Sequence, residues 1–465
     1  MPTWGAPMDD PRTAGVTLTL AELAGATGIP LDTLRAWREL GLLSDRGDAL
    51  SPQDVERARL LHYVERRGIA AETVARASET QGDLLGNFVD NALVGRRPGP
   101  AVSLADAPAA TGLDPAVFQR LWVAAGLGDQ HEADQDDLDA MRGLRIALDA
   151  GLPEDALVQI VRVFADALGR AADAELRLFH HYVHERLRAE GLTGRELLAA
   201  DRAVSEPLMG LIEPMVLYFH RNAFRRAQRE DLLLHLDEEG APPAEVPGEV
   251  EATILFVDLS AFTALTEAMG DAAAAGLMER FSDLVRGAAR RCHGRVVKQI
   301  GDEFMLAFGD PAAAVRCALE IEAAGAAEPQ FPAIRMGAHA GAVLYREGDY
   351  VGATVNVAAR VVAEARRHEF LITATVRAGT DARDLEVTPV GARDLRGIAG
   401  SVELFGVRRL GGRGPERMTD PVCLMELDPG RAAAQLTWHG TDLRFCSDDC
   451  LRIFIATPDR YLSPP

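Results

Sequence analysis

Residues 253–263 read TILFVDLSAFT, and residues 295–308 read RVVKQIGDEFMLAF. The first stretch opens as a continuous run of apolar, β-forming residues that ends at Asp258, and this pattern predicts a buried strand. In the second stretch, Gly301 and Asp302 separate two apolar runs, which predicts a β-hairpin. A strand and a hairpin able to pair with it form the expected centre of this part of the chain.

Further elements follow in a regular order around these two stretches. The spacing of apolar residues predicts helices over about 271–292 and 311–327, another helix that begins near Thr354, and strands over 334–344 and 370–373. The resulting order of strand, helix, hairpin, helix and strand is typical of a ferredoxin-like α+β domain.

Two carboxylates lie where these elements end. Asp258 closes the first strand, and Asp302 lies in the turn of the hairpin expected beside it. Mg²⁺ is commonly held by one or two carboxylates together with phosphate oxygens. Two such metals, roughly 3.5–4 Å apart, can activate a hydroxyl group and hold the leaving oxygens of an in-line displacement. The pair therefore predicts a metal site suited to phosphoryl chemistry.

Cationic and amide side chains accompany the two carboxylates. Lys298, four residues before Asp302, is the only lysine in the chain, and a compact ammonium can serve where a planar guanidinium cannot. Asn356 and Arg360 are spaced i, i+4, so they project from one face of the last predicted helix. Arg360 could neutralise charge on a reacting phosphorus centre, and Asn356 could orient a sugar. Asp349 precedes that helix in a Gly-Asp-Tyr turn.

This constellation resembles the class III nucleotidyl cyclases over essentially all of residues 250–410. The motifs that carry the resemblance are FVDLSAFT at 256–263, KQIGDE at 298–303, DYVGATVNVAAR at 349–360 and DLRGI at 394–398. The resemblance implies an adenylate cyclase, a lyase in which the ribose 3′-hydroxyl of ATP attacks the α-phosphate to give 3′,5′-cyclic AMP and pyrophosphate. It places two Mg²⁺ or Mn²⁺ ions per active site on Asp258 and Asp302, adenine recognition on Lys298 and Asp349, and transition-state stabilisation on Asn356 and Arg360.

The choice of base and the assembly also follow from the resemblance. An ammonium donates to a ring nitrogen of adenine and a carboxylate accepts from its amine, whereas guanine presents the opposite pattern, so Lys298 with Asp349 implies ATP over GTP. In this family each site lies between two catalytic domains, with metal residues from one domain and base-reading residues from the other. One full set of residues on one such domain implies a homodimer with two equivalent sites.

Clusters of Gly and Pro mark three expected linkers, at residues 95–100, 237–249 and 411–415. They divide the chain into four expected domains, at residues 15–94, 101–236, 250–410 and 416–465. The sequence thus predicts a multidomain protein with an all-α N-terminal region for regulation or dimerisation. The α+β cyclase domain and a small cysteine-containing C-terminal domain follow.

The first two pieces repeat each other at an offset of 84 residues, which becomes 83 further on. Each reads as a helix, a Gly turn and a second helix, the pattern of a helix-turn-helix, with Thr19 and Ser103 as expected N-caps. The first copy, residues 17–77, resembles the DNA-binding domain of MerR-type regulators, with TLRAWRELGLL at 33–43 as its recognition helix. Arg35 and Arg38 are then the candidate DNA contacts.

Two features weaken DNA binding as a function. The expected wing at residues 44–50 is acidic, and the second copy carries Gln119 and Trp122 at the positions of Arg35 and Arg38. A dimerisation or sensing module is the alternative for both copies. A rival to the enzyme hypothesis nevertheless stands: a MerR-like transcription regulator that uses the cyclase domain as a nucleotide sensor or dimerisation module.

Histidines cluster in the rest of the second piece. His180 and His184 are four residues apart on one predicted helix face, with His181 between them and His220 farther along. Such a group could titrate near neutral pH or bind a metal, or it could simply belong to a surface or an interface. The layout resembles the N-terminal regulatory domain of pH-responsive bacterial adenylyl cyclases.

Three of the five cysteines, Cys423, Cys446 and Cys450, fall in the last piece. With DPVC at 420–423, His439-Gly440 and FCSDDC at 445–450, this piece resembles the YHS family of small metal-associated domains, although Leu424 stands where the family usually has Gly. Three thiolates suit Zn²⁺ or Cu⁺, with His439 or water as a fourth ligand. The alternative is three cysteines buried in a small core.

The C-terminal piece also carries an expected helix cap. Ser447 could cap a helix from Asp448, and the helix N-terminus would then favour the thiolate of Cys450. The other two cysteines, Cys292 and Cys317, are expected to be ordinary helix residues.

Composition limits the remaining classes of function. The chain has 465 residues with 49 Lys and Arg against 70 Asp and Glu, a formal charge of −21, and this charge disfavours non-specific binding to nucleic acid or to anionic membranes. No apolar run reaches the roughly 18–20 residues of a membrane-spanning helix, and no signal-peptide pattern opens the chain. A cytoplasmic protein with reduced cysteines is expected.

Overall fold

The computed structural model describes residues 18–43, 50–83, 85–86, 88–89, 101–237, 246–328, 330–381, 383–411 and 417–462. The chain divides into two compact units, residues 1–241 and 242–465. Most of each expected linker, and residues 44–49 of the expected wing, lie outside the described residues. Within the described ranges, we find no helix with the length and apolar character needed to cross a membrane.

The first unit is helical, as predicted. Its helices are α1 (Leu20–Thr27), α2 (Leu31–Glu39), α3 (Pro52–Arg66), α4 (Ala71–Gln81), α5 (Ala107–Thr111), α6 (Pro115–Ala124), α7 (Gln135–Asp149), α8 (Glu154–Phe179), α9 (Glu185–Ala189) and α10 (Gly194–Asp237). A π-helical turn, His180–His184, joins α8 to α9. Two short strands, β1 (Val102–Ser103) and β2 (Glu132–Ala133), pair antiparallel.

Helix α1 begins at the predicted cap. The hydroxyl of Thr19 accepts from the backbone N–H of Glu22, and the Glu22 carboxylate accepts from the backbone N–H of Thr19, so the two residues form a capping box. The helix ends at Gly28, whose φ of 68° lies in the left-handed region that favours glycine. Ser103 caps the turn before α5 and not the helix itself: it lies in β1, its hydroxyl accepts from the backbone N–H of Asp106 at 3.3 Å, and α5 begins after Asp106.

The second copy repeats the arrangement of the first. Leu18 bridges Leu50 in the first copy, and Val102 pairs with Ala133 at the equivalent place in the second. Trp122 is fully buried in a core of its own copy, as Trp37 is in the first copy. The carbonyl of Trp122 accepts from the backbone N–H of Leu127, as that of Trp37 accepts from Leu42. Trp122 therefore takes the structural place of Trp37, and the sequence match that set it against Arg38 was one residue out of register.

The second unit is built on a mixed sheet of eight strands in the order β10-β11-β9-β7-β3-β5-β4, with β8 paired to β7. All neighbours are antiparallel except β7 and β9. The strands are β3 (Glu249–Leu259), β4 (Arg295–Ile300), β5 (Glu303–Phe308), β7 (Ile334–Arg346), β8 (Asp349–Val351), β9 (Phe370–Thr373), β10 (Leu385–Asp394) and β11 (Ser401–Arg409). This α+β sheet confirms the predicted fold class.

Helices cover both faces of this sheet. They are α11 (Phe262–Met269), α12 (Asp271–Arg291), α13 (Pro311–Ala327), α14 (Ala353–Glu364) and α15 (Ala374–Ala378). Leu255 and Val257 of β3 face the core that contains α12 and α13, whereas Ile254 and Phe256 face the one that contains α14. A central strand buried on both faces explains the unbroken apolar run in its sequence.

The C-terminal region shares a sheet with the α+β domain. Its elements are β12 (Met418–Thr419), β13 (Met425–Leu427), a 3₁₀ turn (Pro429–Arg431), β14 (Ala434–Trp438), β15 (Thr441–Phe445), α16 (Asp448–Ala456) and α17 (Asp459–Leu462). Strand β13 pairs antiparallel with β12 on one side and with β6 (Gln330–Pro332) on the other. Buried residues of the C-terminal region, such as Phe445 and Phe454, join the same core as α12 and α13.

Candidate active site

Asp258 lies at the end of β3, flanked by charged residues on both neighbouring strands. It is opposite Glu303 on β5 and opposite Arg335 on β7. The Arg335 guanidinium donates to the Asp258 carboxylate from Nε at 2.6 Å and from Nη2 at 2.5 Å. The Asp258 side chain is 8% exposed, so this carboxylate is held in place at a nearly dry strand end.

The structure brings Asp302 to this carboxylate. Asp302 follows Gly301 in the hairpin turn, where φ of Gly301 is 61°, and its side chain lies within hydrogen-bonding reach of Asp258. Burial raises the pKa of Asp258 to about 6 although Arg335 donates to it, and the charge of Asp302 adds to the rise. Burial and the charge of Asp258 also raise the pKa of Glu303. Crowded carboxylates that repel each other fit a divalent cation bound by oxygen ligands.

Lys298 and Asp349 form a second contact, on β4 and β8. The Lys298 ammonium donates to Asp349 Oδ2, while Oδ1 accepts from the backbone N–H of Tyr350 at 2.8 Å. A register shift in β4 between Val296 and Lys298 sets the position of the lysine. The two side chains are 36% and 35% exposed, so a ligand can reach both.

Asn356 and Arg360 lie on the exposed side of α14. Between them, Val357 and Ala358 point into the protein and anchor the helix. Since the side chains of Asn356 and Arg360 face outwards, they are available to a ligand or to a second chain that docks there.

Helix α14 lies unusually close to β7. A Cβ atom added to Gly337 would stand 2.2 Å from the backbone nitrogen of Val362. The hydroxyl of Thr354 donates to the carbonyl of Ala342 at 2.7 Å, which fixes the start of the helix to the same strand. The absence of a side chain at Gly337 thus determines where Asn356 and Arg360 sit.

The three C-terminal cysteines form a buried cluster with an aspartate. Cys446 Sγ lies 3.5 Å from Cys423 Sγ and 3.5 Å from Cys450 Sγ. One ligand atom from each cysteine and from Asp420 fall within 4.8 Å of one another. The thiols of Cys423 and Cys446 donate towards Cys450 and hold its pKa far below the ordinary value, whereas the pKa of Cys423 is raised. This donor set suits a soft or borderline metal ion.

Asp420 ties the two cysteine-bearing loops together. Its Oδ1 accepts from the backbone N–H of Val422 at 2.8 Å, and its Oδ2 accepts from that of Cys446 at 2.7 Å. Of the two expected fourth ligands, His439 and water, the histidine is not grouped with the thiols: that residue is Asp420, and His439 packs edge-on against Trp438.

The predicted cap at Ser447 is confirmed. Its hydroxyl accepts from the backbone N–H of Cys450 at 3.2 Å, at the start of α16. The remaining two cysteines are buried: Cys317 lies within α13, and Cys292 directly follows the last residue of α12.

The candidate DNA contacts and the histidines lie in the helical unit. Arg35 is exposed on α2 and is paired with Asp32 at 2.9 Å, while Arg38 lies in the last turn of the same helix. The rings of His180 and His184 stack with centroids 4.9 Å apart. These histidines also contact other side chains: His180 Nε2 lies 3.5 Å from Glu185, His184 Nδ1 lies 2.7 Å from Asp201, and the rings of His181 and His220 pack against Tyr182, Phe164 and Phe224.

Two residues at these sites were missed in the sequence. Arg335 is the one cation in the otherwise apolar start of β7, and that contrast with Ile334 and Met336 is the signal that could have identified it. Asp420 stands in the quoted DPVC motif but was not assigned a role. Its position before a proline, where a side chain often accepts from the backbone two residues on, was the available signal.

Comparison with known families matches almost the whole chain. Residues 42–227 match a family described as the adenylate cyclase regulatory domain, residues 245–408 match the adenylate and guanylate cyclase catalytic domain, and residues 418–464 match the YHS domain. The MerR-like character of the first helices stays a prediction.

Individual relatives agree with these matches. A pH-sensitive adenylate cyclase of Mycobacterium tuberculosis is 29% identical over 372 residues, covering 78% of this chain and 90% of that protein. An uncharacterized protein of M. tuberculosis is 32% identical over 337 residues, covering 69% and 83%. A solved structure of a Trypanosoma brucei adenylate cyclase in its monomeric state is 26% identical, with a TM-score of 0.33 and coverage of 37% of this chain and 94% of that one. The chain belongs to the class III adenylate cyclases.

Proposed function

We propose that the protein is a regulated adenylate cyclase that converts ATP to 3′,5′-cyclic AMP and pyrophosphate in the cytoplasm. The observation that carries this proposal is that the carboxylates of Asp258 and Asp302 lie together at the end of β3, beside the guanidinium of Arg335. Such a cluster is suited to binding two metal ions and the triphosphate that they neutralise.

One pair of residues binds the metal ions, and a second pair recognises the adenine base. Asp258 and Asp302 hold Mg²⁺ or Mn²⁺, which when bound supplies Lewis-acid stabilisation of phosphoryl charge. Lys298 and Asp349, already in contact, read the adenine edge by donating to a ring nitrogen and accepting from the amine.

The helix α14 completes the site. Asn356 orients the ribose so that its 3′-hydroxyl faces the α-phosphorus, because holding the reacting groups in place removes most of the entropic cost of their meeting. Arg360 then neutralises the charge that grows on the phosphate oxygens as the new bond forms. Both side chains are exposed, and we infer that they complete the site of a second copy in a homodimer.

The accessory regions regulate this activity in our proposal. The first unit matches a cyclase regulatory family, and one relative is named as pH-sensitive. The stacked pair His180 and His184, the latter bound to Asp201, is the feature of this unit suited to a response to pH. The C-terminal thiols hold Zn²⁺ or Cu⁺.

The enzyme assignment is tested by product formation. Purified full-length protein is incubated with ATP or GTP and with Mg²⁺ or Mn²⁺, beside Asp302→Ala and the control Asp283→Ala on the exposed side of α12. Cyclic AMP from the wild type and the control, with none from Asp302→Ala, is expected. Salt-dependent retention on DNA without any turnover of ATP would instead favour the transcription regulator.

A further inference from the structure

A short backbone path joins the cysteine cluster to residues 258–261, the end of β3 and the turn after it, which are called the catalytic loop here. Two residues after Cys423, Met425 pairs with Pro332 of β6. The next residue, Ala333, accepts a hydrogen bond from the backbone N–H of Ser260 at 2.8 Å. Ser260 is two residues from Asp258, so two backbone contacts and short stretches of chain connect the two sites.

Two side chains of the cyclase domain, Arg367 and His368, contact the segment that follows Cys423. Arg367 donates to the carbonyl of Leu424 at 2.9 Å and to Glu426 Oε1 at 3.3 Å. His368 bridges Glu426 at 2.6 Å and Glu322 of α13 at 2.9 Å. The Glu426 side chain is 8% exposed, and its charge is therefore balanced inside the fold by cations of the cyclase domain.

The cluster also contacts the element that follows the catalytic loop. Cys450 lies in α16, which packs against α11. Helix α11 begins at Phe262, two residues after Ser260 and four after Asp258 near the end of β3. Arg460 of α17 adds an ion pair to Glu267 of α11 at 3.4 Å. Both ends of the cysteine cluster are thus attached to structure that positions the catalytic loop.

We propose that the Cys423, Cys446 and Cys450 cluster is an allosteric metal site, whose occupancy by a thiolate-binding metal changes the affinity of the catalytic site for the metal–nucleotide complex. This inference rests on the proposed cyclase function. A bound ion fixes the three sulfur atoms at set distances, and the turn at Leu424 must follow Cys423. Because the pairing of β13 with β6 is fixed in register, the displacement reaches Ala333 and then the loop at Ser260. Ordering this loop in advance is expected to tighten nucleotide binding.

Coupling of this kind is reciprocal, and this allows a test that does not depend on turnover. Cd²⁺ is titrated into metal-free full-length protein, and the ultraviolet absorption of cadmium–thiolate bonds reports binding at cysteine thiols and not at the carboxylates of the catalytic site. The titration is repeated with saturating Mn²⁺ and a non-cyclisable ATP analogue. We expect the Kd for Cd²⁺ to change by at least about fivefold, in the direction of tighter binding.

Three variants distinguish the binding of Cd²⁺ to the thiols from its coupling to the catalytic site. Asp302→Ala is expected to keep the thiolate absorption and lose the change in Kd, because it removes a proposed catalytic metal ligand and leaves the three thiols in place. Arg367→Gln is expected to keep the absorption and reduce the change, whereas the neighbouring Arg366→Gln keeps both. Coupling of either sign that depends on Asp302 and Arg367 supports the proposal.

Three results would overturn the proposal. They are the absence of thiolate absorption, a Kd for Cd²⁺ that the nucleotide leaves unchanged, and a change in Kd that persists in Asp302→Ala. Formation of cyclic AMP by the same metal-free preparation, assayed with Mn²⁺ and ATP before Cd²⁺ is added, tests the cyclase function independently. Product without coupling removes only the allosteric site, while the absence of both product and nucleotide binding removes both proposals.

Discussion

Lys298, the only lysine of the chain, donates directly to Asp349. The two residues lie on β4 and β8, which are far apart in sequence, and the turn before Asp349 is attached to β4 a second time: Arg295 donates to the carbonyl of Gly348 at 3.0 Å. The pair is therefore assembled before any nucleotide arrives. A base that binds there replaces the Lys298–Asp349 ion pair with one hydrogen bond from the ammonium and one to the carboxylate. Only a base with an acceptor and a donor in matching positions restores the interaction free energy that the ion pair supplied.

The first prediction concerns this lysine. Lys298→Ala should lower kcat/KM for ATP by about 10- to 100-fold, the equivalent of one hydrogen bond to a charged group. Lys298→Arg should not restore the rate, because a planar guanidinium cannot take the place of the compact ammonium beside Asp349. Steady-state kinetics with ATP measures both variants, and an unchanged thermal unfolding midpoint serves as the control for folding. Wild-type kinetics in Lys298→Ala would contradict the proposed adenine contact.

The second prediction tests the homodimer. Asp302→Ala and Arg360→Ala should each be inactive alone, since each removes one half of every site. Mixed in equal amounts under conditions of subunit exchange, half of the dimers pair one variant with the other, and each such dimer has one intact site. About a quarter of the wild-type rate should therefore return. No recovery, in a mixture shown to exchange subunits, would mean that both residues act within one chain.

Much of the second unit could be predicted because its sequence signals are local. The apolar run that ends at Asp258, the hairpin turn at Gly301 and the helix from Pro311 each depend on neighbouring residues, and all three are present. The contact between Arg335 and Asp258 depends on the register of two strands 77 residues apart in sequence. A single sequence gives no signal for that register. The lone cation at Arg335 stands out among its apolar neighbours, but its pairing with Asp258 could not be predicted.

The C-terminal region shows the same limit. The three cysteines were identified from the sequence, with His439 or water as the alternatives for a fourth ligand, but Asp420 was not considered. Its place beside the thiols depends on the folded geometry and not on residue type. Asp420 is held at the sulfur atoms by backbone donors from two different loops, and such contacts become visible only when the loops are placed together.

The third prediction concerns the close approach of α14 to β7. Gly337→Ala adds a methyl group where the nearest atoms are the backbone of Val361 and Val362, which cannot rotate away. The helix must move, and we expect a loss of about 1–3 kcal/mol in stability together with a fall in kcat, since Asn356 and Arg360 move with it. Denaturant unfolding and kinetics measure the two effects. Gly276→Ala on α12, where a Cβ meets nothing within 4 Å, is the matched control.

The fourth prediction is a pH dependence at the joint between β13 and the cyclase domain. Hydrogen bonds to Glu322 and Glu426 raise the pKa of His368 from 6.5 to about 9. The folded protein therefore keeps this proton up to about pH 9, whereas the unfolded chain releases it near 6.5. The stabilisation is fully present below pH 6.5 and is lost as the pH rises through 9.

Exposure of the His368 side chain limits how much its proton stabilises the folded protein. The His368 side chain is 40% exposed, so water screens its ion pairs and we expect about 1–2 kcal/mol. The stability difference between wild type and His368→Gln should be largest at pH 6 and should shrink towards pH 9.5, as followed by denaturant unfolding at each pH. A difference that stays constant across this range would show that His368 is not charged in the folded protein.

The last prediction concerns the residue that departs from the YHS pattern. Leu424 has a φ of 59°, in the left-handed region, between Cys423 and β13. Only glycine adopts this conformation without cost, and an L-residue gives up roughly 1–2 kcal/mol there. Leu424→Gly should therefore be more stable than Leu424→Ala by about 1 kcal/mol, a comparison in which both variants lack the leucine side chain. Unfolding of the full-length protein in the presence of a chelator measures the difference. If the alanine variant proved equally stable, the turn would not be left-handed in solution, and the strain between Cys423 and Met425 would have no basis.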